Sequence, residues 1–145
     1  MDSSRLYCLD EGRPLLMRAE ELSRFTLAAK TFAVEEGGDA AGRLFAMTRE
    51  YPGNRTPLHV ELGGEELAAL DPDPSRQGGW GWAELPVPEG ALSPGENRFV
   101  FRAEGSAANS WSLAVSCEKS RGASARSADG GATWPAGMLL GYDCT

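Results

Sequence analysis

The sequence predicts an all-β domain, an antiparallel β-sandwich of eight or more short strands, and three observations carry that prediction. Apolar residues alternate with polar ones over several short runs, the period of a strand with one buried face. The chain holds 18 glycines and 9 prolines, scattered without a period, so turns cut it into many short segments. Its length of 145 residues with 41% hydrophobic side chains suits one domain with one modest core, given roughly 100 to 200 residues per domain. A single sandwich over 1–145 is expected, with no room for an appended catalytic domain.

The first third is the least distinct. Ala19, Leu22, Ala29 and Ala33 fall near helical spacing, but one helix would have to cover a core already closed on two sides. Strands are therefore expected around Leu22 to Leu27 and Thr31 to Val34, separated by Ala28-Ala29-Lys30. After the glycine-rich loop 37–42, Leu44, Ala46 and Thr48 alternate with Phe45 and Met47 in another strand. Tyr51 to Pro57 reads as an exposed loop. Leu58, Val60 and Leu62 alternate with His59 and Glu61, and Gly63-Gly64 turns the chain back through Glu65-Glu66-Leu67 as a hairpin. Asp71 to Gly79 is rich in turn formers and forms a surface loop. Trp80, Trp82 and Leu85 follow, with Pro86 and Pro88 expected to end the ladder. A turn over Leu92 to Asn97 delivers the strand Arg98 to Arg102, with Phe99 and Phe101 on one face. The cleanest alternation runs from Trp111 to Cys117, with Trp111, Leu113, Val115 and Cys117 inward.

Charge and composition exclude several functions. Acidic residues outnumber basic ones, 21 to 14, and no basic cluster exists to neutralise phosphates, so nucleic acid is not an expected partner. No apolar run approaches the roughly 18 residues that cross a bilayer, and the first residues lack the pattern of a signal peptide. Cys8, Cys117 and Cys144 are too few and too far apart for a zinc site, and their disulfide state stays open.

Two passages carry a resemblance. The hairpin His59 to Leu67, the stretch Trp80 to Pro88 and the turn Gly95-Glu96-Asn97 before a hydrophobic strand together resemble the galactose-binding-domain-like jelly rolls. Such modules are appended to secreted bacterial glycoside hydrolases and polysaccharide lyases. In that fold the Gly-x-Asn element is structural, with Asn97 bonding local main chain. Ser127-Ala128-Asp129-Gly130-Gly131-Ala132-Thr133-Trp134 resembles the Asp-box of sialidases and related sugar-active proteins, a hairpin device that occurs here once, in a chain too short for a propeller. The resemblance implies a non-catalytic carbohydrate-binding module, secreted or at the cell surface within a larger protein. It would hold polysaccharide or oligosaccharide and serve an attached catalytic domain. A jelly roll of this kind closes with one more strand after Thr145, so the chain is expected to lack its last strand. Modules of this type often hold one structural calcium, for which Asp71 and Asp73 are the acidic pair in a loop.

The candidate residues follow from sugar chemistry. A sugar's C–H face stacks on an aromatic ring while its hydroxyls need paired donors and acceptors. Trp80 and Trp82 share strand parity and face the same way, into the core or out as a platform. Core burial is the expectation for Trp82, whereas Trp80 follows an exposed loop and is the better platform. Trp111 is read as core. Tyr51 lies in a polar loop with Arg49, Asn54 and Arg55, a mixture suited to hydroxyls. The expected carbohydrate-binding residues are Arg49, Tyr51, Asn54, Gln77, Trp80 and Asn109. No catalytic set is expected: the single histidine, His59, has no Ser, Cys or carboxylate arranged with it locally in the sequence, and neighbouring carboxylates such as Glu20-Glu21 or Glu65-Glu66 point to opposite faces of a strand. The competing reading is an interaction domain that docks on a catalytic domain and binds no sugar.

Overall fold

Runs of alternating polarity become strands because pairing backbone N–H and C=O groups with a neighbour lets every second side chain leave water. The computed structural model describes residues 18–35, 41–105, 110–115 and 123–134. Within them lie nine strands: β1 Arg18–Leu22, β2 Leu27–Val34, β3 Gly42–Glu50, β4 Leu58–Leu62, β5 Glu65–Leu70, β6 Trp80–Val87, β7 Gly95–Ala103, β8 Trp111–Val115 and β9 Ala123–Ser127. A short 3-10 turn, Pro74–Arg76, interrupts the loop before β6. The strands make two antiparallel sheets, one ordered β1-β8-β3-β6 and the other β5-β4-β7-β2-β9.

The inner faces share one core. Leu22, Leu44, Leu85, Val87, Trp111 and Leu113 of the first sheet meet Phe32, Val34, Leu58, Val60, Phe99 and Phe101 of the second. At its centre the rings of Phe32 and Phe99 stack with centroids 5.5 Å apart. The chain is thus an all-β antiparallel sandwich, as its alternation predicts, of the jelly-roll type that the resemblance implies. Gly63 and Gly64, both at positive φ, make the two-residue turn between β4 and β5. Asn97 is buried and bonds local main chain, accepting from Ser93 N at 2.9 Å and donating to the Ser93 carbonyl at 2.7 Å.

Two boundaries differ from expectation. The break in the first third falls at Ser23 to Thr26, not at Ala28-Ala29-Lys30, which run unbroken within β2. The Ser23 hydroxyl accepts from the Phe25 and Thr26 amides at 3.1 and 3.0 Å, a side-chain turn that competes with the ladder. Likewise β6 continues through Pro86, paired with Arg43. It is an edge strand, and there a residue without N–H costs no ladder bond when turned outward.

The segment after β9 forms the turn its residues suggest. Asp129 accepts from the Thr133 amide at 2.9 Å and hydroxyl at 2.5 Å, and Ser127 Oγ donates to it at 2.8 Å. These bonds hold the Asp129 carboxyl down to a pKa of about 2. Gly131 sits at positive φ against the side chain of Leu27, and Trp134 lies under the Arg98 guanidinium, 4.3 Å from it. The three cysteines lie outside the described residues.

Candidate functional site

The outer face of the four-stranded sheet is set by parity. On β6 the residues Ala83, Leu85 and Val87 fill the core, so Trp80, Trp82, Glu84 and Pro86 must point out. On β3 Leu44, Ala46, Thr48 and Glu50 point in, leaving Arg43, Phe45, Met47 and Arg49 outward. Register then places Arg49 opposite Trp80, Met47 opposite Trp82 and Phe45 opposite Glu84. Three large rings stand in water on this face: Trp82 at 59%, Phe45 at 54% and Trp80 at 38% of full exposure. Trp82 is therefore not a core residue, contrary to expectation, because three apolar side chains of the opposite parity already occupy the inner side of its strand.

One transverse row continues the platform with polar groups. Arg49 is opposite Ser112 of β8, and Ser112 is opposite Glu21 of β1. Arg49 lies between two rings, its guanidinium carbon 4.8 Å from the centroid of Tyr51 and 5.0 Å from that of Trp80. Its Nη2 donates to the Tyr51 hydroxyl at 2.7 Å, which donates in turn to Glu21 Oε1 at 2.6 Å. The Ser112 hydroxyl donates to the other Glu21 oxygen at 3.0 Å. A ring, a guanidinium, a phenol and a carboxylate thus meet at one end of the aromatic face, all held by neighbours in the sheet.

Behind this row a buried carboxyl ties two loops together. Glu50 is 3% exposed. One of its oxygens accepts from the Asp73 amide at 2.9 Å, the other from Gln77 Nε2 at 3.1 Å and Asn54 Nδ2 at 3.3 Å. Gln77 also donates to the Asn54 carbonyl and accepts from the Gly53 amide. Trp111 Nε1 donates to the Thr56 carbonyl at 2.8 Å. The loops 51–57 and 71–79 are so fixed against β3 and β8, and Trp80 leaves the second loop in a defined position. A cavity of about 30 Å³ between Glu50, Asp73, Arg76 and Trp111 has room for water but not for a sugar ring.

The six expected residues consequently separate. Arg49, Tyr51 and Trp80 are brought together on the outer face, while Asn54 and Gln77 face the Glu50 carboxyl and hold the loops. Asn109 lies outside the described residues. Glu21, Phe45 and Trp82 join the site without having been expected. The clue for Trp82 was Glu84, a charged residue of the same parity. Of the acidic pair in the 71–79 loop, Asp73 caps the 3-10 turn, its Oδ1 accepting from the Ser75 amide and hydroxyl. Among the described residues no group of three or more His, Cys, Asp or Glu side chains is arranged to hold a metal ion.

The opposite outer face, that of the five-stranded sheet, carries His59 between two carboxylates. Nδ1 meets Glu66 of β5, and Nε2 meets Glu104 at 2.7 Å. Desolvation of the ring acts to lower its pKa, but the hydrogen bonds and charges of Glu66 and Glu104 outweigh it and raise the pKa above the usual value. The raised pKa means that this stabilisation is complete below the unfolded value of about 6.5 and is lost as pH rises through the folded pKa. Denaturation midpoints should therefore fall for the wild type relative to His59→Gln as pH is raised from about 6 to about 9. Parallel midpoints would show that the histidine is not held as a cation.

No family model matches the sequence, and no curated protein matches it. A solved structure similar to it is that of a family 35 carbohydrate binding module from an environmental isolate. The two share 18% identity with a TM-score of 0.43 over 62% of this chain. The match spans 61% of that module's length.

Proposed function

We propose that this chain is a non-catalytic carbohydrate-binding module whose four-stranded outer face adsorbs polysaccharide and brings an attached or associated degrading enzyme to it. The observation that carries the reading is the trio Phe45, Trp80 and Trp82, exposed on a rigid sheet beside the Arg49–Tyr51–Glu21 cluster. Rings on strands lose little freedom on contact, so stacking on a sugar's C–H face is not offset by ordering. The cluster supplies a guanidinium, a phenol and a carboxylate to hydroxyl groups at the edge of the stack. Such a module works outside the cell or on its surface, within a larger protein, and the turn from Ser127 to Trp134 is then an Asp-box in its usual sugar-active company.

The same exposed rings favour a second reading, a docking face for a catalytic domain, since tryptophan, methionine and arginine are enriched at protein interfaces. Against it, the outward positions of β3 and β6 carry no Leu, Ile or Val, whereas rings interspersed with charges suit hydroxyl-rich partners. Native affinity electrophoresis in gels containing polysaccharide decides between them. A retained polymer whose affinity Trp82→Ala lowers five- to thirtyfold, about 1 to 2 kcal/mol, with an unchanged unfolding midpoint, supports the module. Retention by no polymer, with Trp82→Ala silent, would sink it.

A further inference from the structure

Resting on the reading of this face as a carbohydrate platform, we infer that its ligand is a neutral polysaccharide, bound along internal stretches of the chain and not at a terminal sugar or through acidic groups. Two observations carry the inference. The first is charge. The described outward positions of the four-stranded sheet hold two guanidinium groups and two carboxylates, and each cation has its partner: Arg43 pairs with Glu84, and Arg49 with Glu21 and the Tyr51 hydroxyl. Arg76, the cation of the loop 71–79, turns away, since its guanidinium fills the inward side of Gly81 and donates to the Trp82 carbonyl at 3.5 Å, while Arg55 of the loop 51–57 is exposed beyond the strands. A uronate or sulfate laid on this face would meet as many carboxylates as cations and would have to displace one to gain a partner. A neutral chain needs no such exchange.

The second observation is openness. A terminal sugar is read by walls that enclose it, whereas Trp82 and Phe45 are more than half exposed and stand on a sheet surface. Trp80 and Trp82 are two residues apart on one strand, about 7 Å. Phe45, diagonal to Trp82 across the β3–β6 pair, adds a further step of about 7 to 8 Å. Among the described residues the rings therefore form a line longer than one sugar ring, along which a chain can continue.

The test uses the intact chain in affinity gels containing soluble xylan, galactomannan, hydroxyethyl cellulose or polygalacturonate. At least one neutral polymer should be retained, with affinity changed less than twofold between low salt and about 1 M salt, where the Debye length is about 3 Å. Free monosaccharides of that polymer should not compete, while its longer oligosaccharides should. Trp82→Ala and Phe45→Ala should each weaken retention, with Trp82→Ala doing so about tenfold. Retention chiefly by polygalacturonate and lost in salt, or full competition by a monosaccharide, would overturn the inference and leave the binding-module reading standing. No retention by any polymer would overturn both.

Discussion

Replacement of Glu50 by alanine is expected to destabilise the domain by about 2 to 4 kcal/mol, because it removes the buried acceptor shared by three donors. The Asp73 amide, Gln77 Nε2 and Asn54 Nδ2 all converge on this buried carboxyl. An unpaired buried donor costs about 1 to 3 kcal/mol, and the two side-chain amides recover part of that by turning to water. Glu50→Gln keeps an acceptor and should lose roughly half as much. Urea unfolding measures the loss, and hydrogen exchange locates it: amides of 51–57 and 71–79 should exchange faster while those of β4 and β7 stay protected. A loss below about 1 kcal/mol, no more than an ordinary surface change, would show that the two loops hold their positions without this carboxyl. Because Trp80 emerges from the second loop, the same variant should also weaken polysaccharide retention although Glu50 does not reach the outer face.

Phe99→Ala is expected to cost more, about 3 to 5 kcal/mol. Phe99 is buried and stacked on Phe32 at the centre of the five-stranded sheet's inner face. Its removal forfeits the transfer free energy of the ring and leaves a void that β strands, fixed by their ladders, cannot close. Phe99→Leu, which fills more of the space, should cost well under half of that. The measurement is the urea midpoint at an unchanged denaturant slope. A cost for Phe99→Ala under about 2 kcal/mol would mean that the two sheets relax toward each other, and the core is softer than the stacked rings imply.

How much of this was legible in the sequence depended on what each residue's signal was made of. Alternation is a local property, and it located β3, β4, β7 and β8 because most of the inward positions of each are apolar. The break at Ser23 was missed because its signal is one hydroxyl bonding two amides, while the alanines within β2 looked like the weaker link. Burial of Asn54 and Gln77 was not legible at all, since polar loop residues read as exposed unless a buried acceptor on another strand is known, and Glu50 gave no hint of lying inward. The parity of Trp82 was readable from Ala83, Leu85 and Val87 taken together with Glu84. Arg49, Tyr51 and Trp80 were singled out because they border polar loops, and the fold sets them side by side. Their joint action with Glu21 required the strand order β1-β8-β3-β6, which no local pattern encodes.

The two outer faces of the sandwich are unlike. One bears the rings of Phe45, Trp80 and Trp82; the other is occupied by His59 clasped by Glu66 and Glu104, by Arg102 paired with Glu61, and by the turn that ends at Trp134. On the proposed reading, a body divided in this way would settle on a polymer with a single side down. Its ionic side would then be the upper surface of the adsorbed layer, so neighbouring copies on the same fibre would present identically oriented roofs of paired charges. Whatever is joined there would be carried at a fixed height above the polysaccharide, about the thickness of two stacked sheets and their side chains.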